Sequence, residues 1–267
     1  MPLLRKLKNA LAFLTIIPVG MDERALDDAA DVMWLFPLYG ALIGLVSGLV
    51  GLALELLRAP SIVWATVVYV SLLVITGFNH MDGLLDFADA VAAQVPKERR
   101  LEIMKDQYTG AAALSTGLAV ALVTVTSLSS MPREVLVQAV VVSEAVAKLG
   151  MVISAFTGPP ARKGLGELFI SKFRGRWRVA KLVASALMCL TLSSSLGLVG
   201  VVSCLVGSFA SVAIVGIARS RFGGLTGDVI GAVNEISRGT ALVAMAVGLS
   251  WGLPAWSWLA AGARGLE

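Results

Sequence analysis

Three aspartates fall in the stretch Asn79-His80-Met81-Asp82-Gly83-Leu84-Leu85-Asp86-Phe87-Ala88-Asp89. On a helix, offsets of four and seven residues return to one face. Carboxylates held so close repel unless a cation or a proton neutralises them. Mg²⁺ meets that need, because it takes carboxylate oxygens, keeps several waters and bridges to phosphates. The ordinary alternative is a solvated, acidic helix start. The apolar opposite face, Met81, Leu84, Leu85 and Phe87, favours a docked helix that presents its carboxylates to a site.

Three further stretches carry polar chemistry. In Arg99-Arg100-Leu101-Glu102-Ile103-Met104-Lys105-Asp106, Glu102 and Asp106 are helical neighbours, and either suits a second cation site. Glu102 fits a salt-bridge lattice with Arg99, Arg100 and Lys105 equally well. Asp106 stands beside the next apolar run, where charge is expensive, which points to function. In Arg162-Lys163-Gly164-Leu165-Gly166-Glu167, glycines let backbone amides and cations approach an anion, as in a phosphate-binding loop. The cations that follow, Lys172, Arg174, Arg176, Arg178 and Lys181, read as attraction to anionic lipid headgroups. Between Arg219 and Glu235, Thr226 is placed to cap a helix. Asp228 and Glu235 share a face of that helix, and Gly231 between them permits close approach. His80 is the only histidine. It suits a metal ligand, an orienter of Asp82, a proton carrier or a packed side chain. A zinc site would want a second His or Cys nearby.

The elements that must hold these residues are apolar helices. The chain has 267 residues, 57% hydrophobic and 15% charged, with mean hydropathy +0.83. Soluble domains carry about 25% charged residues, so the fold class is all-α, a polytopic integral membrane helical bundle. Seven spans are expected: 34–57, 61–78, 111–130, 135–156, 179–196, 198–218 and 241–261. The basic-then-apolar start, residues 1–20, has no small-x-small cleavage site and is closed by Pro18. It reads as an interfacial or partly re-entrant helix. No linker or repeat divides the chain, so one catalytic domain over 1–267 is expected. Cys189 and Cys204 fall inside expected spans and read as small core residues. Glu144 and Lys148 fall one turn apart within a span and are expected to pair.

With seven spans, the segments 1–33, 79–110, 157–181 and 219–240 share one side and carry 18 of the 22 Lys and Arg. The positive-inside rule makes that side cytoplasmic. It is also the side that carries the acidic and glycine-rich motifs. The +4 net charge is therefore a topology signal, and nucleic-acid binding is not expected.

At these residues the sequence resembles the cobalamin synthase family, the adenosylcobinamide-GDP ribazoletransferases. The resemblance runs through Phe13-Leu-Thr-Ile-Ile-Pro18, Phe36-Pro-Leu-Tyr-Gly40, His80 to Asp89, Leu101 to Asp106, Ala161 to Gly166, and Gly223 to Glu235. Gln107, Pro160 and Arg238 depart from its usual pattern, where Ser, Tyr and an acidic residue are common. The resemblance implies a cell-membrane enzyme with cytoplasmic catalytic loops. It would join adenosylcobinamide-GDP to α-ribazole or its 5′-phosphate and release GMP, in contact with membrane lipid and open to self-association or to other corrinoid-pathway membrane proteins. It further implies Mg²⁺ on Asp82, Asp86, Asp89 and Asp228, with Glu235 or Asp106 completing the shell. Arg162 and Lys163 would steady the GMP phosphate, with Gly164, Gly166, Thr226 and Lys105 in the same binding region. A carboxylate or His80 would take the hydroxyl proton.

Other classes use related parts. Membrane prenyltransferases have aspartate motifs of different spacing, and the long glycine and aspartate signature of CDP-alcohol phosphotransferases, with an Arg soon after the first Asp pair, is absent. An ion-coupled transporter would want carboxylates near mid-span, where only Glu144 clearly lies, with Lys148 beside it.

Overall fold

The computed structural model describes residues 2–20 and 22–257. Twelve α-helices form among the described residues: α1 (Pro2–Leu14), α2 (Ala25–Asp31), α3 (Phe36–Leu56), α4 (Ser61–Ile75), α5 (Asn79–Ala92), α6 (Lys97–Ile103), α7 (Ala111–Ser129), α8 (Leu136–Thr157), α9 (Leu165–Phe173), α10 (Arg178–Ser194), α11 (Leu198–Phe222) and α12 (Gly227–Ser250). No strand forms among them; one parallel bridge joins Pro160 to Leu225.

Helix α8 is the axis, buried over nearly its whole length, with α3, α10, α11 and α12 packed around it. Helices α3, α7, α11 and the Arg133–Thr157 segment containing α8 are long and apolar enough to cross a membrane. Leu45, Leu49, Leu118, Leu122, Leu205 and Phe209 stand exposed on α3, α7 and α11, as side chains facing lipid would. By length and composition four helices qualify as spans, or five if α4 and α5 count as one broken span, against the seven expected. Helix α10, at 17 residues, is short. The last expected span is shifted: its helix starts at Gly227 and ends at Ser250, and residues 258–261 lie outside the described residues. The segment 219–240 is thus almost all helix, and Arg238 is a buried residue that leaves the tally of loop cations.

A sharp break positions the aspartates. Helix α4 ends at Thr76, whose hydroxyl donates to the Leu72 carbonyl at 2.8 Å. Gly77 and Phe78 then both adopt left-handed backbone, at φ 62° and 60°. That conformation is cheap for glycine and costly for phenylalanine, and the Phe78 N–H bond to the Leu73 carbonyl at 2.8 Å helps to hold it. The result is a 91° bend. Helix α5 leaves the path of α4 and carries its carboxylates across the end of the bundle.

The start of the chain folds as the basic-then-apolar pattern suggests, with α1 amphipathic and α2 folded back on it. Arg5 donates to both carboxylate oxygens of Asp28, at 2.8 and 3.2 Å, and Lys6 to Asp31 at 2.7 Å. The Ile16 N–H reaches the Ile75 carbonyl at 2.8 Å, tying the end of α1 to the end of α4.

Candidate active site

Helices α5 and α12 cross glycine against glycine. A Cβ on Gly83 would come within 2.7 Å of the Asp228 carbonyl oxygen, and one on Gly231 within 3.1 Å of the His80 carbonyl oxygen. With no side chain between them, the two backbones touch. Asp82 and Asp86 thereby meet Asp228 in the first turn of α12.

Two groups hold the Asp228 carboxylate. The Thr226 hydroxyl donates to its Oδ2 at 3.1 Å and accepts from the Val229 N–H at 3.3 Å, so Thr226 is the expected helix cap. Arg162 donates to the same oxygen at 3.3 Å and to the Leu101 carbonyl at 2.8 Å. Arg162 is itself placed by backbone pairing of its loop with the loop before α12. The Ala161 N–H bonds the Leu225 carbonyl at 2.9 Å, and the Leu225 N–H bonds the Pro159 carbonyl at 2.8 Å. Gly164 opens α9 at φ 142°, which favours glycine. Gly166 is buried against Thr226 and Gly227, where a Cβ would meet Thr226 backbone at 2.8 Å. Lys163 is exposed.

The electrostatics are those of crowded anions. Burial, then the charges of Asp82, Asp228 and Asp89, push Asp86 up to about 7. Asp228 is also raised, chiefly by burial, against the opposing pull of Thr226 and Arg162. His80 is held well below its ordinary value by burial and by the nearby cations Lys148 and Arg238. Its Nδ1 is buried without a hydrogen-bond partner among the described residues.

Several expected members have other tasks. Asp89 accepts from the backbone N–H of Gly110 at 2.6 Å and of Ala113 at 2.8 Å. It therefore caps α7, and both its oxygens are committed. Glu235 does not join the aspartates. It is fully buried, accepts from Asn234 at 3.1 Å and pairs with Arg238. Two turns separate it from Asp228, and its charge is already matched. Asp106 is exposed at the end of α6 and accepts from the Tyr108 N–H at 3.3 Å. Glu102 takes the ordinary option, a salt bridge to Arg99. Lys105 is exposed. Among the described residues no three acidic, His or Cys side chains close into a ready-made metal cage. Asp82 and Asp228 line one cavity, and Asp86 stands near enough to feel the charge of both.

A cavity of about 420 Å³ opens at Asp82 and Asp228. It is lined also by Asn79, His80 and Thr15 and by the apolar Phe13, Met151, Leu165 and Phe169. Phe13 and Phe169 were invisible as site residues because each reads as ordinary core. Phe13 opens the motif that ends at Pro18, which is the one signal that marks it.

A larger cavity, about 530 Å³ and apolar, lies along α12 between α7 and α11. Glu235 is the one charged residue in its lining.

The chain matches the family described as cobalamin-5-phosphate synthase over residues 6–246. Among curated relatives, the adenosylcobinamide-GDP ribazoletransferase of Methanococcoides burtonii is 30% identical over 254 residues, covering 91% of this chain and 92% of that one. The protein of the same name in Pyrococcus abyssi is 32% identical over 248 residues, covering 91% and 98%. That of Thermococcus gammatolerans is 35% identical over 244 residues, covering 90% and 97%. No solved structure matches the chain.

Proposed function

Because the chain belongs to the cobalamin-5-phosphate synthase family, we propose that its cleft between α5 and α12 transfers the cobinamide phosphoryl group of adenosylcobinamide-GDP to a ribazole acceptor, releasing GMP. The curated relatives carry that activity in their names and match over nearly the full length of the chain. The observation that carries the site is the glycine crossing, which sets the Asp228 backbone against Gly83, between Asp82 and Asp86 in sequence.

A hydroxyl oxygen of the acceptor ribose forms a bond to the phosphorus nearest the corrinoid. The bond from that phosphorus to the bridging oxygen breaks, and its electron pair leaves with GMP. The hydroxyl proton goes to a base in the lining of the cavity, His80 Nδ1 or one of the carboxylates. Positioning and charge neutralisation dominate such transfers. Arg162, already fixed to Asp228, and the exposed Lys163 supply positive charge for the leaving phosphate.

The chemistry of the donors supports Mg²⁺: Asp82, Asp86 and Asp228 repel one another, and an open set of carboxylates suits an ion that keeps several waters and bridges to phosphates. Asp82, Asp86 and Asp228 would hold it, and the bound ion would neutralise the diphosphate. Asp89 and Glu235 are left out of the set because Gly110, Ala113 and Arg238 already engage them. The ion-coupled transporter is disfavoured, since Glu144 and Glu235 inside the bundle are matched by Lys148 and Arg238. The enzyme sits in the cell membrane with the cleft toward the cytoplasm, on the side where Lys and Arg concentrate.

Asp82→Asn and Asp228→Asn each abolish Mg²⁺-dependent GMP release by purified protein, while both variants remain folded in detergent. Full activity in either variant removes the carboxylate cleft from the reaction.

A further inference from the structure

Part of the lining of the cavity at Asp82 and Asp228 has no task in the transfer step. Beside the polar His80, Asp82 and Asp228 stand the apolar Phe13, Met151, Leu165 and Phe169. The rings of Phe13 and Phe169 lie 5.0 Å apart. Phe36, fully buried, stands 6.5 Å from the first and 6.0 Å from the second. The Ile16–Ile75 backbone bond fixes this wall against the start of α5. His80, 7% exposed, lines the same cavity with its Nδ1 unpartnered. A buried imidazole nitrogen without a partner is costly, and a ligand group would satisfy it.

Size and chemistry narrow the occupant. At about 420 Å³ the cavity sits low in the ~300–1,000 Å³ range of small-ligand sites. A nucleoside fits there, and a corrin ring with its amide side chains does not. Guanine is also a poor occupant, because its edge is ringed by donors and acceptors that an apolar wall would leave unsatisfied. A benzimidazole-type base offers a hydrocarbon edge and a flat face, and aromatic rings accept such a face by offset stacking.

We propose that this cavity is the acceptor subsite. The aromatic base of the ribazole lies against Phe13, Phe169, Met151 and Leu165, its ribose turns toward Asp82 and Asp228, and His80 Nδ1 hydrogen-bonds the nucleoside. The motif around Phe13 and the one containing Phe36 thereby gain a role, as the wall that selects the base. This assignment rests on the ribazole-transfer reading, and the test separates the two.

In full-length protein purified in detergent, Phe169→Ala raises the acceptor KM by about tenfold, the size expected for one lost aromatic contact, and leaves the donor KM unchanged. A rise in the donor KM alone, or in neither, overturns the assignment. Phe169 is a core residue, so a milder variant accompanies it. Leu165 is 42% exposed, whereas Cys189 and Cys204 are buried, so Leu165→Cys gives maleimide one accessible thiol. α-Ribazole alone slows that modification, and GDP alone does not. Protection by GDP instead, or by neither ligand, overturns the subsite. Failure of the wild-type protein to release GMP from the two substrates sinks the transfer reading, and protection of Leu165→Cys by the free nucleoside then still decides what the cavity binds.

Discussion

Among the aspartates, Asp86 bears the cost of crowding. A carboxyl whose folded-state pKa is raised contributes stability that is complete below its unfolded value, ~3.9, and is lost as pH rises through the folded value, here about 7. Protein freed of divalent ions is therefore expected to be less stable at pH 8 than this group would allow at pH 4. Asp86→Asn raises the thermal midpoint at pH 8 in chelator and does nothing near pH 4. Adding Mg²⁺ to the wild type at pH 8 closes the gap. Equal midpoints for wild type and variant at pH 8 in chelator would show that the repulsion is absent. The spacing of Asp82, Asp86 and Asp89 announced carboxylate chemistry, yet it did not distinguish the three. What separates Asp89 is a pair of amides at Gly110 and Ala113, 21 and 24 residues away. Glu235 misleads in the same way, because its partner Arg238, three residues on, counts as a separate loop charge until the fold buries the two together.

At the level of helices, the decisive contact is backbone on backbone. Gly83→Ala puts a methyl group against Asp228, and overpacking of this kind costs about 1–3 kcal/mol. Thermal unfolding reads that loss, and GMP release falls with it as α5 separates from α12. Gly216 on α11 has open space around its Cβ position, so Gly216→Ala is the control and leaves activity and midpoint intact or slightly improved. The sequence revealed the apolar helices and the bundle class, since composition and long apolar runs carry that information directly. It did not reveal the start of α12. A stretch with Asp228, Glu235 and Arg238 reads as an extramembrane segment when each charge is counted alone. In the folded protein only Asp228 stays at the helix end, while the other two disappear into the core as a pair. The bend at Gly77 and Phe78 was equally hidden, because nothing in the type of a phenylalanine announces a left-handed backbone.

Across the whole molecule, two features invite measurement. The first is sidedness. Arg176 is exposed before α10, and Arg58 is exposed between α3 and α4. In intact cells, Arg58→Cys reacts with an impermeant maleimide, and Arg176→Cys reacts only after the membrane is opened. The reverse pattern would invert the orientation and the access of both substrates. The second is the ionic core. Lys148 donates to Asn234 at 2.7 Å and lies 3.5 Å from Glu144, so the expected pair exists but is the looser of its contacts. Arg238 binds Glu144 at 3.1 Å, pairs with Glu235 and lies over the Tyr69 ring. Removing one member of a buried pair costs about 3–5 kcal/mol. Arg238→Met therefore lowers the thermal midpoint sharply, and combining it with Glu235→Gln recovers part of the loss. The arrangement also bears on biogenesis. Helix α8 carries Glu144 with Lys148 four residues on, and α12 carries Glu235 with Arg238 three residues on. Each helix thus brings its own counter-ion for the acid buried within it, leaving only Asp228 uncompensated at the very start of α12, which lowers the cost of entering lipid before the helix has met its neighbour.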